Sequence, residues 1–185
     1  MSQITKPKLL LHCCCAPCAT YVIEYLKPDY SIALFYYNPN IEPQEEYERR
    51  KGELIKLMQR AGYESEIPLL PNEYDNPLYN NALLILHGDT EGRTRCGICY
   101  ELRFSATAKR AKKDCFDIFT TTLSVSPHKN AEMLNEIGTK ISERYNIEYL
   151  QADFKKKDGY LRSIELTSRY DLLRQSYCGC KNSMR

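Results

Sequence analysis

The chain has 185 residues, 43% of them apolar, with 15 tyrosines, 9 prolines and a formal net charge of +2. That balance suits one compact α/β domain over residues 1–185, without repeat or Ser/Gly-rich linker, and gives no charge-based case for a nucleic-acid partner. No segment has the apolar length of a membrane span, and the few apolar residues of MSQITKPKLLLHC are too short for a signal core, so no membrane association and a cytoplasmic location are expected.

The elements alternate between strand and helix. Leu9 to Leu11 form a short continuous apolar run, the pattern of a parallel strand buried on both faces. Pro17 opens a helix carrying Tyr21, Val22, Tyr25 and Leu26 at helical spacing. A strand over Ser31–Tyr37 stops at the turn signal Asn38-Pro39-Asn40. A long amphipathic helix spans Pro43–Arg60, with Leu54, Leu57 and Met58 on its apolar face and Gly62 beyond its end. Tyr63–Leu70 reads as a strand, and Asn76 and Pro77 begin a helix that ends near Leu86. A helix starts near Cys96 and carries Leu102, Ala106 and Ala108. Phe116–Leu123 reads as a strand, Ser124–Asn130 as a polar loop, Ala131–Tyr145 as a helix and Ser163–Ser176 as the last helix. This order predicts a three-layer fold, a parallel sheet flanked by helices, with the working site beyond the carboxyl ends of the strands.

Seven of the nine cysteines fall in tight groups: Cys14, Cys15 and Cys18 in HCCCAPC, Cys96 and Cys99 in RCGIC, Cys178 and Cys180 in YCGC. In a reducing compartment, thiols so spaced bind metal or do redox chemistry, whereas Cys13 and Cys115 lie outside the pattern and suit packing. A 4Fe-4S cluster takes four thiolates, and Cys14, Cys15, Cys96 and Cys99 supply that number from two loops, though the spacing leaves zinc open as well. Zinc would use C-x2-C twice, Cys15 with Cys18 and Cys96 with Cys99, and adjacent Cys14 and Cys15 side chains are expected to diverge too far to share one zinc. The glycine between Cys178 and Cys180 lets the chain double back, which suits dithiol/disulfide cycling.

Four segments, LLLHCCCAPC, RCGICYELR, FTTTLSVSPHKN and LLRQSYCGC, resemble in order, over nearly the whole chain, the cobalamin-independent epoxyqueuosine reductases. The resemblance implies a nucleotide-binding-like (HUP/Rossmann-like) fold and reduction of epoxyqueuosine to queuosine at the wobble position of tRNA. It also implies a 4Fe-4S cluster on Cys14, Cys15, Cys96 and Cys99, a redox-active disulfide between Cys178 and Cys180, no cobalamin, and an electron donor that the sequence does not name. The stretch His87-Gly88-Asp89-Thr90-Glu91-Gly92-Arg93 departs from the acidic, proline-containing loop of the family.

Removing an epoxide oxygen takes two electrons and two protons, so a second metal or an acid must grip the departing oxygen. Cys18 and Asp89 are the first candidates, ahead of His12, Tyr100 and His128. Lys109, Arg110, Lys112 and Lys113, with Arg169, Arg174 and Lys181, are the expected tRNA contacts. Two other classes compete: an ATP-dependent tRNA-thiolating or adenylating enzyme, whose phosphate-loop glycines HCCCAPC lacks, and a zinc-stabilised RNA-binding module.

Overall fold

The computed structural model describes residues 5–84 and 94–183. The apolar run forms β1 (Lys8–His12), in which Leu9, Leu10 and Leu11 are fully buried. Leu9 and Leu11 enter one core with Val22, Ile23, Leu34 and Leu54, while Leu10 enters another with Phe35, Phe104, Phe119 and Leu134. That two-residue alternation puts the strand between two helical layers, so the unbroken apolar run Leu9–Leu11 is a consequence of its place.

The chain then passes through α1 (Ala16–Leu26), β2 (Ser31–Phe35), α2 (Gln44–Arg60), β3 (Leu69–Leu70), α3 (Asn76–Ala82) and α4 (Thr94–Lys113). It continues with β4 (Ile118–Thr121), a 3-10 turn (Thr122–Val125), α5 (Ala131–Tyr145), β5 (Glu148–Tyr149), α6 (Gly159–Arg169) and a second 3-10 turn (Lys181–Ser183). All strand pairs are parallel, in the order β3-β2-β1-β4-β5. Helices α1 and α2 cover the Leu9 face, with α6 against α1, and α4 and α5 cover the Leu10 face. The three-layer α/β prediction holds. The strand order grows outward from β1 in one direction to β3 and in the other to β5, so the reversal falls between β1 and β4. Open parallel sheets place their ligands at such a reversal, and here β1 runs directly into Cys13-Cys14-Cys15 while β4 runs into Thr122–Val125.

Several boundaries differ from the sequence reading, each for a local reason. The strand expected over Tyr63–Leu70 shrinks to Leu69–Leu70, because the amides of Glu66 and Ile67 bond back to the Tyr63 carbonyl at 3.0 and 2.8 Å and leave the ladder. The strand expected over Phe116–Leu123 is Ile118–Thr121; Thr121 Oγ1 then accepts from the Leu123 amide at 3.2 Å and caps the 3-10 turn. The last helix is Gly159–Arg169, not Ser163–Ser176. Its first residue has room only for glycine, since a Cβ there would strike the Phe154 carbonyl and the Tyr21 ring, and it stops where Asp171 adopts φ +47° and bonds Arg60 of α2 at 2.8 Å. The helix expected to end near Leu86 is Asn76–Ala82, capped by Asp75 through the Leu78 amide at 3.3 Å; Leu86 itself lies outside the described residues. Among the described residues no helix is long and apolar enough to cross a membrane.

Candidate metal and redox site

Beyond the reversal between β1 and β4 lies a cavity of about 370 Å³ lined by Cys14, Cys15, Cys18, Cys96, Cys99, Cys178 and Cys180. Three distant segments deliver these sulfurs: the turn from β1 into α1, the first turns of α4, and the stretch that follows α6. The two cysteines outside the groups are elsewhere. Cys13 is fully buried in the Leu9 core with its Sγ 3.6 Å from the Leu11 carbonyl, and burial pushes its thiol up; Cys115 is exposed.

The sulfurs of Cys14, Cys15 and Cys18 lie within 4.8 Å of one another, a group able to hold a metal ion. The expected divergence of adjacent side chains does not occur: Cys14 Sγ and Cys15 Sγ are 3.7 Å apart. Cys15 is the extended N-cap of α1, with φ −167°, at the junction between the strand-end loop and the helix. The loop is tied to β4 through Thr122, whose Oγ1 accepts from the Cys14 amide at 3.1 Å and sits 3.3 Å from its sulfur. Hydrogen bonds from Cys15 and Cys18, with a further one from Thr122, hold the Cys14 thiol well below its ordinary range; the same sharing pushes Cys15 and Cys18 up. Cys14 is therefore the most thiolate-like of the three.

Cys96 and Cys99 lie one turn apart at the start of α4, Cys99 buried and Cys96 partly so. Cys99 packs with Cys180, Tyr79 and Leu83, which joins the α4 pair to the tail pair. Burial pushes the Cys99 thiol up to about 11. Below it Arg103, 4% exposed, donates to Asn38 Oδ1 at 2.6 Å and to His12 Nε2 at 3.3 Å, and places Nη1 3.8 Å from Cys99 Sγ.

Cys178 and Cys180 are unbridged. Cys178 donates to Ser183 Oγ at 3.0 Å, and the Ser183 hydroxyl donates in turn to the Cys180 carbonyl at 2.7 Å. Cys180 Sγ instead accepts, from Tyr79 Oη at 3.3 Å, Asn182 Nδ2 at 3.6 Å and Arg95 Nη2 at 3.9 Å. The two sulfurs of the pair thus face opposite hydrogen-bonding environments.

A family model described as Epoxyqueuosine reductase QueH matches residues 9–185. The chain belongs to the QueH family. Relatives called Epoxyqueuosine reductase QueH include one from Streptococcus pyogenes, 37% identical over 96% of this chain and 71% of that protein. Another from Staphylococcus epidermidis is 39% identical over 95% of this chain and 75% of its own, and one from Thermotoga maritima is 32% identical over 95% and 90%. As a member of the QueH family the chain is an oxidoreductase.

The expected site residues of this QueH chain are distributed unevenly. Cys14, Cys15, Cys18, Cys96, Cys99, Cys178 and Cys180 share the cavity, as do Tyr100, His128 and Arg174. Asp89 and Glu91 lie outside the described residues. His12 is a buried structural group: its Nδ1 faces Thr121 Oγ1 at 2.9 Å, and burial lowers its pKa to about 3, so it stays neutral. Lys109, Arg110, Lys112 and Lys113 do not line the cavity; they occupy the far end of α4, roughly 20 Å from Cys96 by helical rise. There Lys109 lies over the Tyr145 ring, Arg110 bonds Asp114 and the Pro71 carbonyl, and Lys112 bonds the Asn146 carbonyl. Arg169 lies over its neighbour Tyr170, and Lys181 pairs with Glu42 at 3.7 Å.

Sequence reasoning overlooked Arg103, Asn40 and Arg50. Arg103 carries a signal in hindsight, since it follows Cys99 by four residues on one helix face and is apolar-flanked by Leu102 and Phe104. Asn40 and Arg50 carry none for the tail pair, because the tail carbonyls they bond lie more than a hundred residues away, although Arg50 also bonds Glu46 one turn off at 2.6 Å.

Proposed function

We propose that this chain reduces the epoxide of epoxyqueuosine, carried at the wobble position of tRNA, to the alkene of queuosine. The observation that carries this reading is the convergence of seven sulfurs from three segments on one cavity, in a chain of the QueH family. Soft thiolates select iron–sulfur clusters, zinc or cuprous copper, and four of these seven, Cys14, Cys15, Cys96 and Cys99, would hold a 4Fe-4S cluster between the β1 loop and α4. When bound there, the cluster supplies single electrons at low potential.

The chain's own residues supply the remainder. Oxidising the Cys178–Cys180 dithiol to a disulfide releases two electrons and two protons, the amounts needed to convert an epoxide into an alkene and water. An external electron donor then restores the dithiol. Cys18, inside the cavity, together with Asp89 would grip the departing oxygen through a second metal ion or as its acid. Tyr160 and Tyr177 also line the cavity, each backed by an arginine: Arg174 Cζ lies 5.5 Å from the Tyr160 ring centroid and Arg50 Cζ 4.7 Å from that of Tyr177. A modified base reached inside a folded RNA must leave its stack, and exposed aromatic faces can receive it.

The test is anaerobic incubation of the iron-loaded protein with tRNA containing epoxyqueuosine and a low-potential reductant, followed by mass spectrometry of the nucleosides. Loss of one oxygen atom from the modified nucleoside is expected; an unchanged nucleoside contradicts the proposal. One observation favours a second reading. Cys14, Cys15 and Cys18 alone form a compact triad within 4.8 Å, suited to a mononuclear metal such as structural zinc in an RNA-binding module. A zinc protein is colourless and leaves the nucleoside unchanged, whereas a cluster protein is brown.

A further inference from the structure

Arg103 is a fixed positive charge buried where, among the described residues, no carboxylate bonds it. Its three hydrogen-bond partners are Asn38 Oδ1, His12 Nε2 and Cys99 Sγ, two neutral groups and one sulfur. Those partners are themselves locked: Asn38 Nδ2 donates to the Cys13 carbonyl at 2.8 Å, and His12 Nδ1 meets Thr121 Oγ1 at 2.9 Å. The guanidinium is therefore held in place, and a guanidinium does not shed its proton.

Placing an ion in such surroundings is costly unless an opposite charge accompanies it. The sulfur side of the cavity is where that charge belongs. Arg103 follows Cys99 by one turn of α4 and reaches across to the ends of β1 and β2, so it underlies both segments that carry the proposed cluster ligands. It also lines the cavity itself. A set of four thiolates around iron carries net negative charge in every state and gains one more on reduction. A buried cation beside it favours the reduced state, as does an N–H directed at a ligand sulfur.

We propose that Arg103 is a positioning residue that sets the reduction potential of the group held by Cys14, Cys15, Cys96 and Cys99. The inference rests on the cluster reading above. Arg103 raises the potential through its charge, and Asn38 fixes that charge at the floor of the site.

The test is an anaerobic spectroelectrochemical titration of the visible band in the iron-loaded full chain. It compares the native protein with Arg103→Met, Arg103→Lys and Asn38→Asp. Arg103→Met removes the charge, and Asn38→Asp neutralises it in place by setting a carboxylate against it. Both are expected to move the midpoint at least tenfold toward the oxidised form, about 59 mV more negative for a one-electron couple. Arg103→Lys keeps the charge and should shift it by less than half as much. If Arg103→Met fails to fold or to take up iron, Asn38→Asp decides, because the arginine remains. Brown variants whose midpoints equal the native value overturn the inference while leaving the cluster reading intact. A colourless native protein overturns the cluster reading, and the inference with it.

Discussion

Arg50 lies across the ring of Tyr177, its Cζ 4.7 Å from the ring centroid, and its Nη1 donates to the Tyr177 carbonyl at 3.3 Å. Two further hydrogen bonds continue along the turn. Asn40 Nδ2 donates to the Cys178 carbonyl at 3.3 Å, and the Glu42 amide donates to the Gly179 carbonyl at 3.0 Å. Three successive carbonyls around the Cys-Gly-Cys turn are thus held by α2 and by the segment that leads into it from β2. The sulfurs on the other side of the turn are left facing the cavity.

Gly179 makes that grip possible. Its φ is +102°, a region closed to other residues, and a Cβ would stand 2.7 Å from Ile41 Cγ1 and 3.2 Å from Arg50 Nη1. Gly179→Ala is expected to strain the turn by about 1–3 kcal/mol. The strain should appear as faster amide exchange over 177–180 and faster alkylation of Cys178 and Cys180, with the visible spectrum unchanged. Exchange and alkylation at the native rates would show that the turn is not held as described.

The tail pair and the cluster ligands are separable by substitution. Cys180→Ala removes the sulfur that accepts from Tyr79, Asn182 and Arg95, and is expected to retain iron yet lose multiple turnover. Loss of iron from this variant would make Cys180 a ligand instead.

The two metal readings predict opposite results for two other cysteines. If Cys99 is a cluster ligand, Cys99→Ser loses most of the visible absorption and Cys18→Ser keeps it. If the metal sits in the Cys14, Cys15 and Cys18 triad, Cys18→Ser loses it and Cys99→Ser does not. Metal content of both variants, measured after anaerobic purification, separates the cases.

RNA binding should follow the cavity rather than the end of α4. Arg174 lines the cavity, and Lys181 flanks Cys180 with most of its side chain exposed. Replacing both with Gln is expected to weaken tRNA binding and to lower the salt slope by roughly 0.7–0.9 for each phosphate that is no longer neutralised. Neutralising Lys109, Lys112 and Lys113 together should have the smaller effect, because these side chains lie at the opposite end of α4 from Cys96. A larger effect from the α4 group would move the RNA to that end of the helix.

The parts of the fold set by local pattern were legible in the chain. The Leu9–Leu11 run marked the central strand because burial on both faces favours consecutive apolar residues. Gly62, with φ +70°, marked the end of α2, and the helix expected over Ala131–Tyr145 is α5 with those bounds. Cysteine spacing marked the seven sulfurs that share the cavity. Features decided by distant partners were not legible. β5 is two residues long and exists only through pairing with β4. α6 ends where Asp171 meets Arg60, a hydrogen bond across 111 positions. The cation beneath Cys99 depends on Asn38 and His12, which reach it from two other elements.

The central claim is that the sulfur-lined cavity passes electrons to the epoxide of a tRNA nucleoside. Its most direct test is single turnover under anaerobic conditions: the iron-loaded chain is reduced, freed of excess reductant and mixed with tRNA bearing epoxyqueuosine. The bleached visible band should recover as queuosine forms, and tRNA already bearing queuosine should leave it bleached. Queuosine appearing with neither recovery of the band nor loss of the free Cys178 and Cys180 thiols, or a band that stays bleached and thiols that stay free with both tRNAs, would contradict the account.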